Sequence, residues 1–182
     1  MSTEMTGHRA PVYDHALVMR AREFALRAHR HQLYGDRPYI EHLDATVRVL
    51  MRMKASSTVL AAGYLHDVKE DCEDIEDLVG QFGHDIDDIV TACTGYGDDR
   101  ASRMQDKARK IAANAAGAQV ALADRYCNMN QCVKDGELSL LRRYAKELPL
   151  FLPTFLGVNR NYSLDMMAWA NQAVPGLFEQ LS

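Results

Sequence analysis

The stretch that most restricts the fold is residues 59–71. An apolar run, Val59-Leu60-Ala61-Ala62 and then Tyr64-Leu65, stops at His66-Asp67 and is followed at once by Glu70 and Asp71. A helix that is apolar on nearly every side belongs inside a protein, because a surface helix keeps one wet face. His66 and Asp67 therefore lie at the inner end of a core helix. If that helix continues, residues four apart share a face, which puts His66 over Glu70 and Asp67 over Asp71. So many ionisable groups beside a core cost roughly several kcal/mol in desolvation unless a cation or a hydrogen-bond network compensates. A metal is the economical explanation; the alternative is a solvated helix end. The acidic run that follows, Glu73, Asp74, Glu76 and Asp77, reads as an exposed turn with Asp74 capping the next helix.

The remainder of the chain also reads as helices. Ala16, Leu17, Ala21, Phe24, Ala25 and Ala28 recur at helical spacing from Pro11 to about Gln32, with Arg20, Arg22, Arg27 and Arg30 on the polar side. Gly35 and Pro38 break the pattern in a turn. A helix then opens near His42 and runs to Lys54, and Ser56 or Ser57 caps the one that ends at His66. Further helices are expected over Asp74–Phe82, Asp85–Thr94 and Ser102–Ala113. The last has Arg103, Lys107, Arg109 and Lys110 on a face read as solvated. From about Gln119 an apolar run continues to Asp135-Gly136 and contains Asp124. Its neighbour Arg125 points about 100° away and is a poor partner, so a metal suits Asp124 better. A helix from Leu138 is expected to end at Pro149–Pro153, and one over Leu164–Leu181 to kink at Pro175. No segment alternates like a strand, so the chain reads as all-α. Residues 1–11 are polar and expected to be flexible, and 12–182 form a single domain.

Charge narrows the function. A net charge of −4 argues against a nucleic-acid binder that works by neutralising phosphates, and favours a small ligand. No apolar stretch approaches the ~20 residues of a membrane span, and Met1 to Pro11 lacks the apolar core of a signal peptide, so a cytoplasmic protein with no membrane contact is expected. Cys72, Cys93, Cys127 and Cys132 form no Cys-x-x-Cys pair and read as reduced thiols rather than ligands. Met and aromatic residues near the C-terminus suit core packing or a self-association face, which leaves a homo-oligomer open.

The order His42, His66-Asp67, Asp124 resembles the metal signature of the HD superfamily of metal-dependent phosphohydrolases. Three segments sharpen the likeness: Pro38-Tyr39-Ile40-Glu41-His42, Leu65-His66-Asp67-Val68-Lys69-Glu70-Asp71 and Leu122-Ala123-Asp124-Arg125-Tyr126-Cys127-Asn128-Met129. They are similar to the diagnostic segments of RelA/SpoT-type alarmone hydrolases, in particular the small stand-alone ones, over roughly residues 21–131. The resemblance implies a compact helical HD-domain bundle in which His42, His66, Asp67 and Asp124 hold one divalent metal, typically Mn²⁺. Two imidazoles and two carboxylates without thiolate suit such an ion. It further implies that Glu70 and Asp71 are the catalytic acidic pair and that Asn128 and Tyr39 contact the nucleotide.

Departures from the family pattern are equally informative. Guanosine-specific members carry an Arg-Lys pair where this chain has Leu33 and Tyr34. Arginine stacks on a purine and pairs with phosphate, whereas tyrosine only stacks or donates one hydrogen bond, so Tyr34 is a candidate substrate contact with altered base preference. Lys69, Leu43, Ala121 and Cys127 also depart from the pattern, and none of them removes a ligand. The expected activity is hydrolysis of the 3′-pyrophosphate of (p)ppGpp or a (p)ppApp-like nucleotide. The alternatives are a nucleotidase or dNTP phosphohydrolase of the same superfamily, or a non-catalytic nucleotide-binding module.

Overall fold

The computed structural model describes residues 13–72 and 77–179. Ten helices and one small hairpin are assigned among them. Helix α1 (His15–Ala28) starts at Asp14, whose carboxylate accepts from the Leu17 N–H. A two-stranded antiparallel hairpin follows, β1 (Leu33–Tyr34) and β2 (Arg37–Pro38), with Tyr34 opposite Arg37. Gly35 sits at its turn with φ +66°, a conformation that costs glycine nothing. Strands of two residues are too short to show alternation, which is why the sequence reads only as a turn there.

Helix α2 (Ile40–Arg52) packs against α3 (Ser57–Leu65), which Ser56 caps. All seven residues from Val59 to Leu65 are buried, as the apolar run requires. A Cβ on Gly63 would lie 2.5 Å from Leu50 Cδ1, so a bare backbone is what lets α3 cross α2 this closely. The helix does not continue through the acidic residues. It stops at Leu65, His66 and Asp67 form a turn, and α4 (Val68–Asp71) restarts beyond them.

Helix α5 (Leu78–Phe82) ends at Gly83 (φ +84°), and α6 (His84–Cys93) begins immediately after. The expected cap Asp74 and the residues beside it lie outside the described residues, as does the N-terminal segment 1–11. Helix α7 (Arg100–Ala113) is capped by Asp99 rather than Ser102; Ser102 completes a reciprocal capping box three residues in. Helix α8 (Ala115–Asp135) runs through the middle of the molecule and closes on Gly136.

Two expectations near the C-terminus are corrected. Helix α9 (Leu138–Val158) passes through both Pro149 and Pro153 instead of ending there. An interior proline costs about 3 kcal/mol, but on this helix Leu148, Phe151, Leu152 and Phe155 are buried while Pro153 faces out. Tertiary burial outweighs the local penalty. Helix α10 (Arg160–Ala173) begins at an Asn159 cap and ends before Pro175, which occupies a turn and kinks nothing. Helices α9 and α10 pack along each other and on α8. The result is a compact helical bundle whose core includes Leu43, Leu50, Leu60, Leu65, Leu122, Met129 and Phe151. No helix among the described residues is long and apolar enough to cross a membrane.

Candidate metal centre

His42, in the first turn of α2, His66 and Asp67, in the α3–α4 turn, and Asp124, in the middle of α8, converge although 82 residues separate the first from the last. His42, His66 and Asp67 each offer a ligand atom within 4.8 Å of the others. Asp124 Oδ1 lies 3.1 Å from His42 Nε2 and 3.5 Å from His66 Nε2, and Asp67 Oδ2 is 3.0 Å from His66 Nε2. Both imidazoles are buried, His66 completely.

The tautomer of His66 is set by its surroundings. Its Nδ1 lies 2.9 Å from the Gly63 carbonyl and donates to it, so in the neutral ring Nε2 carries a lone pair. That lone pair faces two carboxylate oxygens, and Nε2 is a buried nitrogen with no properly aligned hydrogen-bond partner. Acceptors facing one another inside a protein require a cation between them or a proton on the ring. Without an ion the ring takes the proton: burial opposes it, but the carboxylates of Asp67 and Asp124 hold the His66 pKa well above its ordinary value. In return His66 and His42 hold Asp124 well below the usual carboxylate range against burial, and His66 does the same for Asp67. Two neutral imidazoles and two carboxylates, with one nitrogen otherwise orphaned, fit a divalent ion.

The residues expected to touch a nucleotide are all brought to this centre, and each is engaged with it. Tyr39 O–H donates to Asp67 Oδ2 at 2.5 Å. Asn128 Nδ2, one turn along α8, donates to Asp124 Oδ1 at 2.6 Å. Tyr34 O–H in turn donates to Asn128 Oδ1 at 2.8 Å, while its ring stacks on His42 with centroids 4.7 Å apart and planes 14° from parallel. Burial, with Asp67 for Tyr39, raises both phenol pKa values, so both hydroxyls remain donors.

Glu70 and Asp71, on α4 just beyond the His66-Asp67 turn, stand exposed. Glu70 Oε1 accepts the Gly95 N–H at 2.6 Å, which fixes the carboxylate toward the α6–α7 loop. Asp71 Oδ2 accepts from Gln32 Nε2 at 2.8 Å, and Gln32 Oε1 lies 2.7 Å from His29 Nδ1. Lys69, unusual at its position, is compensated by α6: its ammonium meets Asp87 at 2.6 Å and donates to Thr91 Oγ1 at 2.7 Å.

One expectation fails here. Lys107 is buried, not on a solvated face. Burial alone would discharge it, yet the charges of Glu70, Asp124 and Asp67 keep its pKa above the ordinary lysine value. Its signal was periodicity: Met104, Lys107 and Ile111 are spaced i, i+3, i+7 and share the inward face of α7. Arg125, by contrast, is no partner of Asp124. It donates to Glu147 Oε2 at 2.8 Å and lies over the rings of Tyr144 and Phe151. The four cysteines are free thiols.

Residues 21–148 match the family model described as HD domain. The chain is 30% identical over 191 residues to a probable chloroplastic GTP diphosphokinase RSH2 of Oryza sativa subsp. japonica, covering 96% of this chain and 26% of that protein. It is 30% identical over 165 residues to a probable chloroplastic GTP diphosphokinase RSH2 of Arabidopsis thaliana (80% and 22%). With a probable guanosine-3′,5′-bis(diphosphate) 3′-pyrophosphohydrolase of Synechocystis sp. it shares 35% identity over 82 residues (44% and 11%). The chain thus spans about a quarter of the length of the plant relatives it matches. With the His-Asp turn between α3 and α4, the family match over more than two thirds of its length and a His/Asp cluster of the kind these metal-dependent domains use, the chain belongs to the HD domain family.

Proposed function

We propose that this protein is a metal-dependent phosphohydrolase that removes the 3′-pyrophosphate of (p)ppGpp or a (p)ppApp-like nucleotide. The observation that carries this reading is His66 Nε2: a buried lone pair aimed between Asp67 and Asp124, with Glu70 held by the Gly95 N–H just beyond the His66-Asp67 turn. Two kinds of relative, probable GTP diphosphokinases and a probable 3′-pyrophosphohydrolase, support the nucleotide class.

His42, His66, Asp67 and Asp124 would hold one divalent ion, with Mn²⁺ the expected metal. When bound, the ion polarises the attacking water and the phosphoryl oxygens, the two tasks a metal commonly performs in phosphate hydrolysis. The chain's own groups do the rest. Tyr39 and Asn128 fix the two ligand carboxylates, as outer hydrogen bonds do in metal sites generally. Glu70, with one oxygen tied to Gly95 N–H, has the other free to take a proton from the water. The water oxygen bonds to the phosphorus attached to the 3′-oxygen. The bond from phosphorus to that 3′-oxygen breaks, pyrophosphate leaves, and the ribose 3′-oxygen takes the proton that Glu70 received from the water. Lys107, buried and kept charged by Glu70, Asp124 and Asp67, balances the negative charge of the site, and Asp71 is the second carboxylate available to handle protons.

A second reading, a nucleotidase or dNTP phosphohydrolase, is favoured by Tyr34, whose ring covers the His42 face where the guanosine-specific members have a cationic pair. The test is release of phosphate and pyrophosphate with Mn²⁺ across ppGpp, ppApp, NADPH, dNTPs and nucleoside monophosphates, with Asp67→Ala as the blank. Pyrophosphate from a 3′-pyrophosphorylated nucleotide is expected; release from the other nucleotides alone would overturn the substrate and retain the metal chemistry.

A further inference from the structure

Helix α4, which carries Glu70 and Asp71, is a single turn. The Glu70 and Asp71 N–H groups donate to the Asp67 carbonyl, and the Cys72 N–H donates to the Val68 carbonyl. One turn fixes many dihedrals for few hydrogen bonds and does not hold itself in water, so its neighbours hold it. Each of its four residues makes a different contact. Val68 is completely buried in the core. Lys69 Nζ meets Asp87 Oδ1 at 2.6 Å and donates to Thr91 Oγ1 at 2.7 Å, both on α6. Glu70 accepts the Gly95 N–H at 2.6 Å, and Asp71 accepts from Gln32 at 2.8 Å.

These contacts are not equivalent. Glu70 and Asp71 hold on with the carboxylates that the proposed reaction uses for protons, and a carboxyl group that has taken a proton accepts more weakly than a carboxylate. Burial of Val68 sets the depth of the turn, but it is non-directional and leaves rotation open. Lys69 is the remaining tie. Two oxygens one helical turn apart bind its ammonium, which sets direction as well as distance. The Lys69 and Asp87 side chains are only 20% and 22% exposed, so the pair escapes much of the screening that weakens surface ion pairs. Thr91 and Gly95, four residues apart at the end of α6, receive Lys69 and Glu70, which are adjacent on α4. The two ties therefore set one register between α4 and the loop that holds Glu70. Lys69 is also a position at which this chain departs from the family pattern.

We propose that Lys69 is a positioning residue: latched to Asp87 and Thr91, it fixes the rotation of α4 and keeps Glu70 engaged with the Gly95 N–H while protons come and go. The role of Glu70 as base rests on the function proposed above; the latch and its effect on Gly95 do not.

The test uses the full chain with isotope-labelled glycine, so that hydrogen exchange of the Gly95 amide is read directly, and Glu70→Ala as the reference for loss of its acceptor. Lys69→Met removes the charge and keeps the stem, Asp87→Ala breaks the latch from the α6 side, and Lys69→Arg keeps the charge. Expected is Gly95 exchange faster by roughly tenfold or more in Lys69→Met and Asp87→Ala, approaching Glu70→Ala, with Lys69→Arg near the wild type. With Mn²⁺ and a nucleoside 3′,5′-bis(diphosphate), kcat should fall by roughly tenfold or more in Lys69→Met while KM and bound Mn²⁺ per chain hold, because a misaimed base slows the chemical step and not binding. Gly95 exchange unchanged in Lys69→Met and Asp87→Ala overturns the latch; a lower Tm alone would then make the pair a brace of the fold only. Faster Gly95 exchange with kcat unchanged overturns the positioning role. Gly95 exchange that responds to Lys69 in a protein that releases no pyrophosphate sustains the latch and overturns the proposed reaction.

Discussion

His66 is the residue on which the most constraints meet: one nitrogen held by the Gly63 carbonyl, the other facing two carboxylates, the whole ring buried. The division of labour around it can be separated by substitution. Asp67→Ala removes a proposed ligand and strands the Tyr39 hydroxyl, so metal binding and turnover should vanish together, read as bound Mn²⁺ per chain and product release. Glu70→Gln keeps an oxygen for the Gly95 N–H but cannot take a proton. Turnover should fall by roughly 10²-fold or more with metal stoichiometry unchanged, and loss of the ion as well would show that Glu70 is itself a ligand. Leu33→Arg with Tyr34→Lys uncovers the His42 face and should move selectivity toward ppGpp over ppApp; unchanged selectivity would separate this hairpin from base choice. His66, Asp67 and Asp124 stand out in the sequence because their types clash with their settings, a His-Asp pair ending an apolar run and an aspartate inside another, whereas His42 is singled out by the family resemblance alone. Lys107 was not read correctly, since a lysine among other cations resembles a solvated face until its spacing with Met104 and Ile111 is weighed.

Elements are tied together by a smaller set of polar contacts, of which Glu147 on α9 is the hub. It accepts Arg100 Nε at 2.6 Å from the first turn of α7 and Arg125 NH1 at 2.8 Å from α8. Burial raises its pKa, but the hydrogen bonds and charges of the two guanidinium groups outweigh burial and hold it below the ordinary glutamate value. The contribution is therefore fully present above the unfolded pKa near 4.5 and is lost as pH falls through the lower folded value. Glu147→Gln should flatten the acid limb of a urea-midpoint profile as pH falls below the unfolded glutamate pKa near 4.5. Glu147→Ala should cost about 3 kcal/mol, because Arg125 stays buried without its carboxylate; a cost under about 0.5 kcal/mol would mark the network as surface-like. Most helices are readable in the sequence from periodicity or from apolar runs, whereas the single turn α4 is not separable from α3 there. What escaped was decided by packing or by length: α9 continues through Pro149 and Pro153 because its buried face outweighs two local penalties, and the hairpin is too short to leave a pattern.

For the molecule as a whole, the centre lies where three helices that pack on one another meet: the start of α2, the α3–α4 turn and the middle of α8. An ion that binds only the assembled site stabilises the folded chain by mass action, about 2.7 kcal/mol at a free concentration 100 times its dissociation constant. For a chain of this size that corresponds to a rise of roughly 5–10 °C in Tm. The core, from Leu43 and Leu60 to Leu122 and Phe151, is apolar and buried, so chelation should lower Tm by that increment and leave a cooperative transition. Asp124→Asn should abolish the increment while keeping the transition, since the amide still fills the space but withdraws a charge from the ligand set. Scanning calorimetry with Mn²⁺ and with EDTA distinguishes the cases. A chain that loses its transition on chelation would make the metal a structural element of the fold, and a Tm indifferent to Mn²⁺ would remove the ion from these four residues altogether.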